Sequence, residues 1–267
     1  MSTLGAQTAL GTRPLEGKRI VLTRARAQVG DFEARIKALG GEPVLAPAIA
    51  IRSPESWIIV DAALRRIETY DWVAFTSTNA VHALVGRAQA ISVARGFMSS
   101  RRLAVVGPAT AAAVTASLRP PDVVSSTQTA EALARDIADV ENARILFPRG
   151  DLAGDALPGG LRSRGAFVDD VIVYRTVPGD GIDTIASLVR TGGADALLFT
   201  SPSAVRFVAD ALGGDPVGEA VVVCIGPVTA DAARSAGFEP ALVAESATQD
   251  DLIDHVARWF AARSRGH

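Results

Sequence analysis

Two polar runs recur in this chain of 267 residues, each directly after an apolar stretch. Phe75-Thr76-Ser77-x-Asn79-Ala80-Val81 is echoed by Phe199-Thr200-Ser201-x-Ser203-Ala204-Val205, and Gly107-Pro108-x-Thr110 by Gly226-Pro227-x-Thr229. Short hydroxyl and amide side chains beside the free N–H groups of a helix start can hold carboxylate or phosphate oxygens. The same residues have a purely structural reading. Ser77 or Thr78 and Ser201 suit helix N-caps, and Pro202 suits the first helical position. The Gly-Pro pairs suit a tight turn into a helix, with Thr110 and Thr229 packed in its first turn. Arg24 and Arg149 each close an apolar run and could grip a carboxylate in a two-pronged fork, or lie exposed or ion-paired. Of two tyrosines, Tyr70 reads as packing. Tyr174, in Val171-Ile172-Val173-Tyr174-Arg175-Thr176, reads either as a proton donor facing a cleft or as an aromatic plug.

Other chemistries lack their residues. Cys224 stands alone in Val221-Val222-Val223-Cys224-Ile225, so neither a disulfide framework nor a cysteine metal cage is expected. His82, His255 and His267 form no HxH or HxxxH pair, and no metal site is expected. There is no GxGxxG, no GxxxxGK[ST] and no GxSxG. What remains suits holding a polycarboxylate and steering a reactive intermediate without a cofactor. It does not suit hydrolysis through a strong nucleophile.

These residues need a frame, and the apolar pattern supplies one. Hydrophobic residues are 48% and charged residues 21%, as in globular proteins. Aromatics are only 5%, so the cores must be aliphatic. The pattern predicts strands over 19–23, 43–46, 72–76, 103–106, 122–124, 144–147, 166–173, 196–200, 221–225 and 241–244. Helices are expected over 29–39, 80–90, 109–117, 129–140, 157–164, 182–191, 203–212, 229–236 and 250–262. Strands alternating with helices imply parallel sheets covered on both faces. With a net charge of −2 and no basic stripe, no nucleic-acid partner is expected; Arg258, Arg263 and Arg265 read as a solvated tail. No apolar run approaches the ~18 residues of a membrane span, and residues 1–16 lack the apolar core of a secretory signal. The expectation is a cytoplasmic, monomeric protein with no membrane association and a loose extension at 1–16.

The recurrences form an internal repeat. Lys18-Arg19-Ile20-Val21-Leu22-Thr23-Arg24 is echoed by Ala143-Arg144-Ile145-Leu146-Phe147-Pro148-Arg149, and Gly40 by Gly165 at the same spacing of 125. The Thr-Ser and Gly-Pro motifs follow in order, then Ser126-Thr127-Gln128-Thr129 and Glu245-Ser246-Ala247-Thr248. Chance explains one such pair, not five in register. The chain is a duplicated five-strand α/β unit. Each copy could fold alone, near 18–142 and 143–267, or the copies could exchange their first two strands. Exchange makes 1–46 plus 178–267 the first lobe, 53–171 the second, and the equivalent segments 47–52 and 172–177 two linker strands.

The motifs resemble those of the uroporphyrinogen-III synthase family. The likeness rests on Phe75-Thr76-Ser77-x-Asn79-Ala80-Val81, Gly107-Pro108-x-Thr110, Phe147-Pro148-Arg149-Gly150, Val173-Tyr174-Arg175-Thr176, Phe199-Thr200-Ser201-Pro202-Ser203-Ala204-Val205 and Ile225-Gly226-Pro227-x-Thr229, across about 17–260. The resemblance implies the exchanged layout: two flavodoxin-like lobes with parallel five-stranded sheets, joined by a two-strand linker around a mobile cleft. It implies hydroxymethylbilane as substrate, no cofactor, and cyclisation to uroporphyrinogen III with loss of water and inversion of ring D. By motif, Tyr174 matches the tyrosine proposed to assist departure of the hydroxyl. Thr110, Ser201 and Thr229 match hydroxyls facing the cleft, and Ser77 belongs to the equivalent strand-end turn; these, with the neighbouring polar Asn79 and Ser203, are expected to hold substrate carboxylates, and Arg149 is assigned carboxylate binding. The competing reading is a bilobal small-molecule-binding or sensor protein of the same fold without catalysis.

Overall fold

Trp72–Phe75 and Ala196–Phe199, inner strands of the two sheets, are short and wholly apolar. In the computed structural model, β1 (Arg19–Leu22), β2 (Glu42–Leu45), β9 (Ala196–Phe199), β10 (Val221–Cys224) and β11 (Pro240–Val243) form a five-stranded sheet in the order β11-β10-β9-β1-β2. A second sheet runs β3-β8-β7-β4-β5-β6. Its strands are β3 (Ile49–Arg52), β4 (Trp72–Phe75), β5 (Arg102–Val105), β6 (Val123–Val124), β7 (Arg144–Gly150) and β8 (Phe167–Pro178). The structure describes residues 13–24, 30–93, 96, 98–244 and 249–264. The Glu245–Thr248 motif and residues 1–12 of the expected extension lie outside them.

The sheet orders settle the topology. β1 and β2 of the first copy pair in parallel with β9 of the second, and β7 of the second pairs in parallel with β4 of the first. The copies have exchanged their first two strands, and the tandem arrangement does not hold. An aspartate pins each exchange. Asp71, just before β4, accepts the backbone N–H of Arg144 at 2.8 Å; its counterpart Asp195, before β9, accepts that of Arg19 at 2.9 Å. The chain divides into two compact units, Met1–Ala50 with Val177–His267, and Ile51–Thr176. They are called the first and second unit below.

Each sheet buries both faces. Leu197 and Phe199 of β9 enter one core of the first unit, and Ala196 and Leu198 enter the other, as strand alternation requires. Val73 and Phe75 of β4 part from Trp72 and Ala74 in the same way in the second unit. Each Leu, Ile or Phe buried here contributes about 1.5–3 kcal/mol. The covering helices are α1 (Gly30–Ala38), α2 (Ile58–Arg65), α3 (Thr78–Ala90), α4 (Gly107–Ser117), α5 (Ala130–Asp136), α6 (Ala156–Arg162), α7 (Ile182–Arg190), α8 (Pro202–Leu212), α9 (Pro227–Ser235) and α10 (Gln249–Ser264).

Three features depart from the sequence expectation. The second sheet has six strands, not five, because Ile49–Arg52 forms β3 beside β8. β8 continues without a break to Pro178. Helix α2 was not expected. It has no side-chain cap, and it opens on Ile58 and Ile59, 77% and 70% exposed, while Val60, Ala63 and Leu64 are buried. Its β-branched start hides the helical pattern; packing of its inner face holds it.

Candidate functional site

The repeated Thr-Ser motif builds the same turn twice. Ser77 leaves β4 in an extended conformation and its Oγ accepts the N–H of Ala80 at 3.2 Å, capping α3. Ser201 leaves β9 and caps α8 through Ala204, also at 3.2 Å. The capping reading therefore holds for both serines, each worth roughly 1 kcal/mol. At the C-terminal ends of parallel strands, these turns stand where open α/β sheets bind ligands.

Beyond the cap the copies differ. The Tyr174 hydroxyl lies 3.2 Å from Ser77 Oγ, joining β8 to the start of α3. The sequence alone does not place these residues together, 97 positions apart. At the spacing of 125, Ile49 takes the place of Tyr174 in the first copy and offers no hydroxyl.

Three features set the tyrosine. The β7–β8 register slips between Arg149 and Gly150, so Gly150 stands opposite Tyr174 and not Val173. The ring lies against Gly150: a Cβ there would sit 2.6 Å from Cζ and 2.8 Å from the phenol oxygen. Asp151 then fastens both strands. Its N–H donates to the Tyr174 carbonyl at 3.2 Å, and its carboxylate accepts the N–H of Thr176 at 2.9 Å and its own neighbour Leu152 at 3.0 Å. Nothing in the sequence marks Gly150-Asp151 as the seat of Tyr174, because that role depends on the β7–β8 register.

Tyr174 opens into a cleft of about 450 Å³ within the second unit, shared with Arg52, Ser53, Trp57, Asn79, His82 and Arg87. Arg87 is committed elsewhere. Its Nε and Nη2 grip both oxygens of Asp61 at 2.7 and 2.6 Å, its guanidinium stacks 5.1 Å from the Trp57 ring, and this bond holds the Asp61 pKa below the ordinary carboxylate value. Asn79 and the exposed Arg52, Ser53 and His82 supply the cleft's other polar side chains. Arg52 and His82 had no sequence signal, because Arg52 was read as linker and His82 as scattered.

The other tyrosine is differently placed. Tyr70 is fully buried and its hydroxyl donates to Asp169 at 2.6 Å. Burial, reinforced by that bond, pushes its pKa up to about 12. It is a packing residue, as the sequence suggested.

Thr110 and Thr229 are buried, 5% and 4% exposed, in the first turns of α4 and α9. Among the described residues neither hydroxyl has a hydrogen-bond partner. The turns before them are not identical. Gly107 takes φ +76, which favours glycine, with Gln128 against it, whereas Gly226 is extended at φ −179. Ser203, beside Ser201, accepts from Arg206 Nη2 at 3.3 Å.

Arg149 does not stand free. Its Nε donates to Asp170 at 2.9 Å and its Nη1 to the Ala153 carbonyl at 3.1 Å. Asp170 also accepts from Arg162 at 2.7 Å. Burial opposes ionisation of Asp170, but the bonds from Arg162 and Arg149 outweigh it and its pKa is lowered. The guanidinium thus supports the loop carrying Gly150 and Asp151.

The family model described as uroporphyrinogen-III synthase HemD matches residues 30–254, a span that takes in Ser77, Thr110, Arg149, Tyr174, Ser201 and Thr229. The chain belongs to this family. It is 29% identical to the uroporphyrinogen-III synthase of Synechococcus elongatus over 94% of this chain and 98% of that one. It is 25% identical to that of Chlorobaculum parvum over 85% and 93%. In fold it is similar to a mutant uroporphyrinogen III synthase from Thermus thermophilus, with a TM-score of 0.66 and 23% identity over 92% of this chain and 99% of that chain. The Helicobacter pylori uroporphyrinogen-III synthetase gives 0.61 and 12% over 91% and 99%. No comparison favours the reading without catalysis. No described helix is long and apolar enough to cross a membrane.

Proposed function

We propose that the chain performs its family's reaction, closing hydroxymethylbilane to uroporphyrinogen III with loss of water and inversion of ring D, and that Tyr174 is its general acid. The observation that carries this is the Tyr174 phenol, seated on Gly150, bonded to Ser77 Oγ at 3.2 Å and open to a cleft. Such a group can both donate and accept a proton. In the proposed sequence the phenol protonates the terminal hydroxyl, the carbon–oxygen bond breaks, and water leaves an azafulvene. The substituted carbon of ring D attacks that carbon and gives a spiro intermediate. The intermediate fragments and recloses with the ring turned over, and the proton lost as the last pyrrole regains aromaticity returns to the phenolate. A positioned acid supplies about 10²–10⁴-fold. Holding ring D so that its substituted carbon is presented supplies the choice of isomer.

The same reading gives Ser77, Asn79 and Thr110 of the second unit, and Ser201, Ser203 and Thr229 of the first, the acetate and propionate side chains of the substrate. Arg149 faces this task already paired with Asp170, so its contribution to carboxylate binding is indirect. Residues 47–52 and 172–177 serve as the linker strands, and the protein works without a cofactor as a cytoplasmic monomer. The test generates hydroxymethylbilane in situ, adds the protein alone, oxidises the products and separates the porphyrins. Predominantly isomer III is expected; isomer I alone from folded protein would overturn the reading.

A further inference from the structure

The two strand-end arginines are equivalent by sequence and unlike in their surroundings. Arg19 faces Glu42 and Leu22 faces Leu45 across β1–β2, and Arg144 faces Phe167 and Phe147 faces Asp170 across β7–β8. The register is the same in both copies, so Leu45 occupies the place of Asp170. Arg149 has its counterion; Arg24 has none in that position. Among the described residues Arg24 has no ion pair or hydrogen bond at all. The sequence that follows, 25–29, brings no acid either.

Arg24 is nevertheless half-buried. It borders a crevice of the first unit with Thr23, Phe32, Leu198 and Thr200 at the carboxyl ends of β1 and β9; the crevice is too tight to hold a water molecule, so a ligand would meet the part of the guanidinium that remains exposed. The Thr23 hydroxyl is spent on the Leu198 carbonyl at 2.7 Å, which leaves the guanidinium and Thr200 as the crevice's polar groups. Burial lowers the arginine's pKa, with no acid in place to offset it. A protein gains nothing by keeping an uncompensated, partly desolvated cation, unless an anion arrives to neutralise it.

We infer that Arg24, with Thr200, is a carboxylate-binding site of the first unit, and that it takes an acetate or propionate group of the tetrapyrrole. The inference rests on the proposed function for the identity of the ligand. A guanidinium fork receives a carboxylate through two parallel N–H···O bonds, and Thr200 adds a hydroxyl donor.

The test compares Arg24→Gln with Arg149→Gln. The readouts are KM and kcat with hydroxymethylbilane, the Kd of the protein for the octacarboxylate uroporphyrin III, and the melting temperature. Loss of one charge-assisted contact corresponds to about a 10- to 100-fold weaker interaction. Arg24→Gln is expected to raise KM and Kd by that factor, with kcat and melting temperature nearly unchanged, and Arg24→Lys is expected to recover part of the loss. Arg149→Gln, which breaks a formed ion pair, is expected to lower the melting temperature. Wild-type KM and Kd in Arg24→Gln would overturn the inference. So would a large fall in its melting temperature, since Arg24 would then have a partner within the protein. The function is judged separately, by whether the wild type forms isomer III. If it does not, the Kd comparison still decides whether Arg24 holds a tetrapyrrole carboxylate.

Discussion

The two strand-end turns have one backbone and two chemistries. Ser77 and Ser201 cap their helices with the same 3.2 Å bond. Only Ser77 also meets a phenol, because β8 carries Tyr174 where the first copy carries Ile49. The arginines diverge the other way: Arg149 is neutralised by Asp170, whereas Leu45 stands at the position matching Asp170 in the first copy and Arg24 has no ion pair among the described residues. Duplication built the scaffold twice, and the matched positions differ. The second unit carries the phenol; the first carries a guanidinium without a counterion among the described residues. Turns that cap a helix in both copies can still serve a reaction in one.

The largest effect that sharpens this contrast is expected from Gly150→Ala. The added Cβ would lie 2.6 Å from the Tyr174 ring, so the ring must leave Ser77 or the strands must shift. Overpacking of this kind costs about 1–3 kcal/mol. Turnover is expected to fall about as far as in Tyr174→Phe, alongside a lower melting temperature in denaturation. A fully active Gly150→Ala would show that the phenol's placement against Gly150 is irrelevant.

Smaller effects are expected from the paired serine changes. Ser77→Ala and Ser201→Ala each remove one cap, so each is expected to lose roughly 1 kcal/mol in urea unfolding. They are expected to part in kinetics, where Ser77→Ala lowers kcat because its hydroxyl orients the phenol, and Ser201→Ala acts through KM. Equal kcat values would erase the difference between the copies.

The smallest effect concerns acid. The described carboxylates with a lowered pKa, Asp61, Asp122, Asp136 and Asp170, all belong to the second unit. A carboxylate held below its unfolded value stabilises the fold above that value, about pH 4, and loses the contribution as the pH falls through its folded value. Hydrogen exchange at pH 7 and near pH 3.5, corrected for intrinsic rates, is expected to show residues 51–176 losing more protection than the first unit. Equal losses would contradict this.

The sequence carried the strand exchange only as one of two options, because periodicity marks strands without marking their partners. The repeat located the caps and the Thr110 and Thr229 turns, since these depend on local order. It did not locate what depends on register: the slip that sets Tyr174 on Gly150, or the hold of Asp151 on Thr176. The assignment of Arg149 to substrate carboxylate met an ion pair already formed. Setting Leu45 against Asp170 across the repeat carries that signal, and it turns attention to Arg24. The segment 47–52 reads as an extended linker strand, but that it joins the second sheet beside β8 depends on pairing that the sequence does not mark. Helix α2 escaped for another reason: Ile58-Ile59-Val60 reads as extended chain.

The central claim is that the Tyr174 phenol drives cyclisation. Its most direct test is the isomer ratio and rate of Tyr174→Phe, which keeps the ring on Gly150 and removes only the hydroxyl. With hydroxymethylbilane supplied in situ, the wild type is expected to give mainly isomer III. The variant is expected to be slower by about 10²–10⁴-fold, so that isomer I accumulates by uncatalysed closure. A variant with the wild-type rate and isomer ratio would contradict the account.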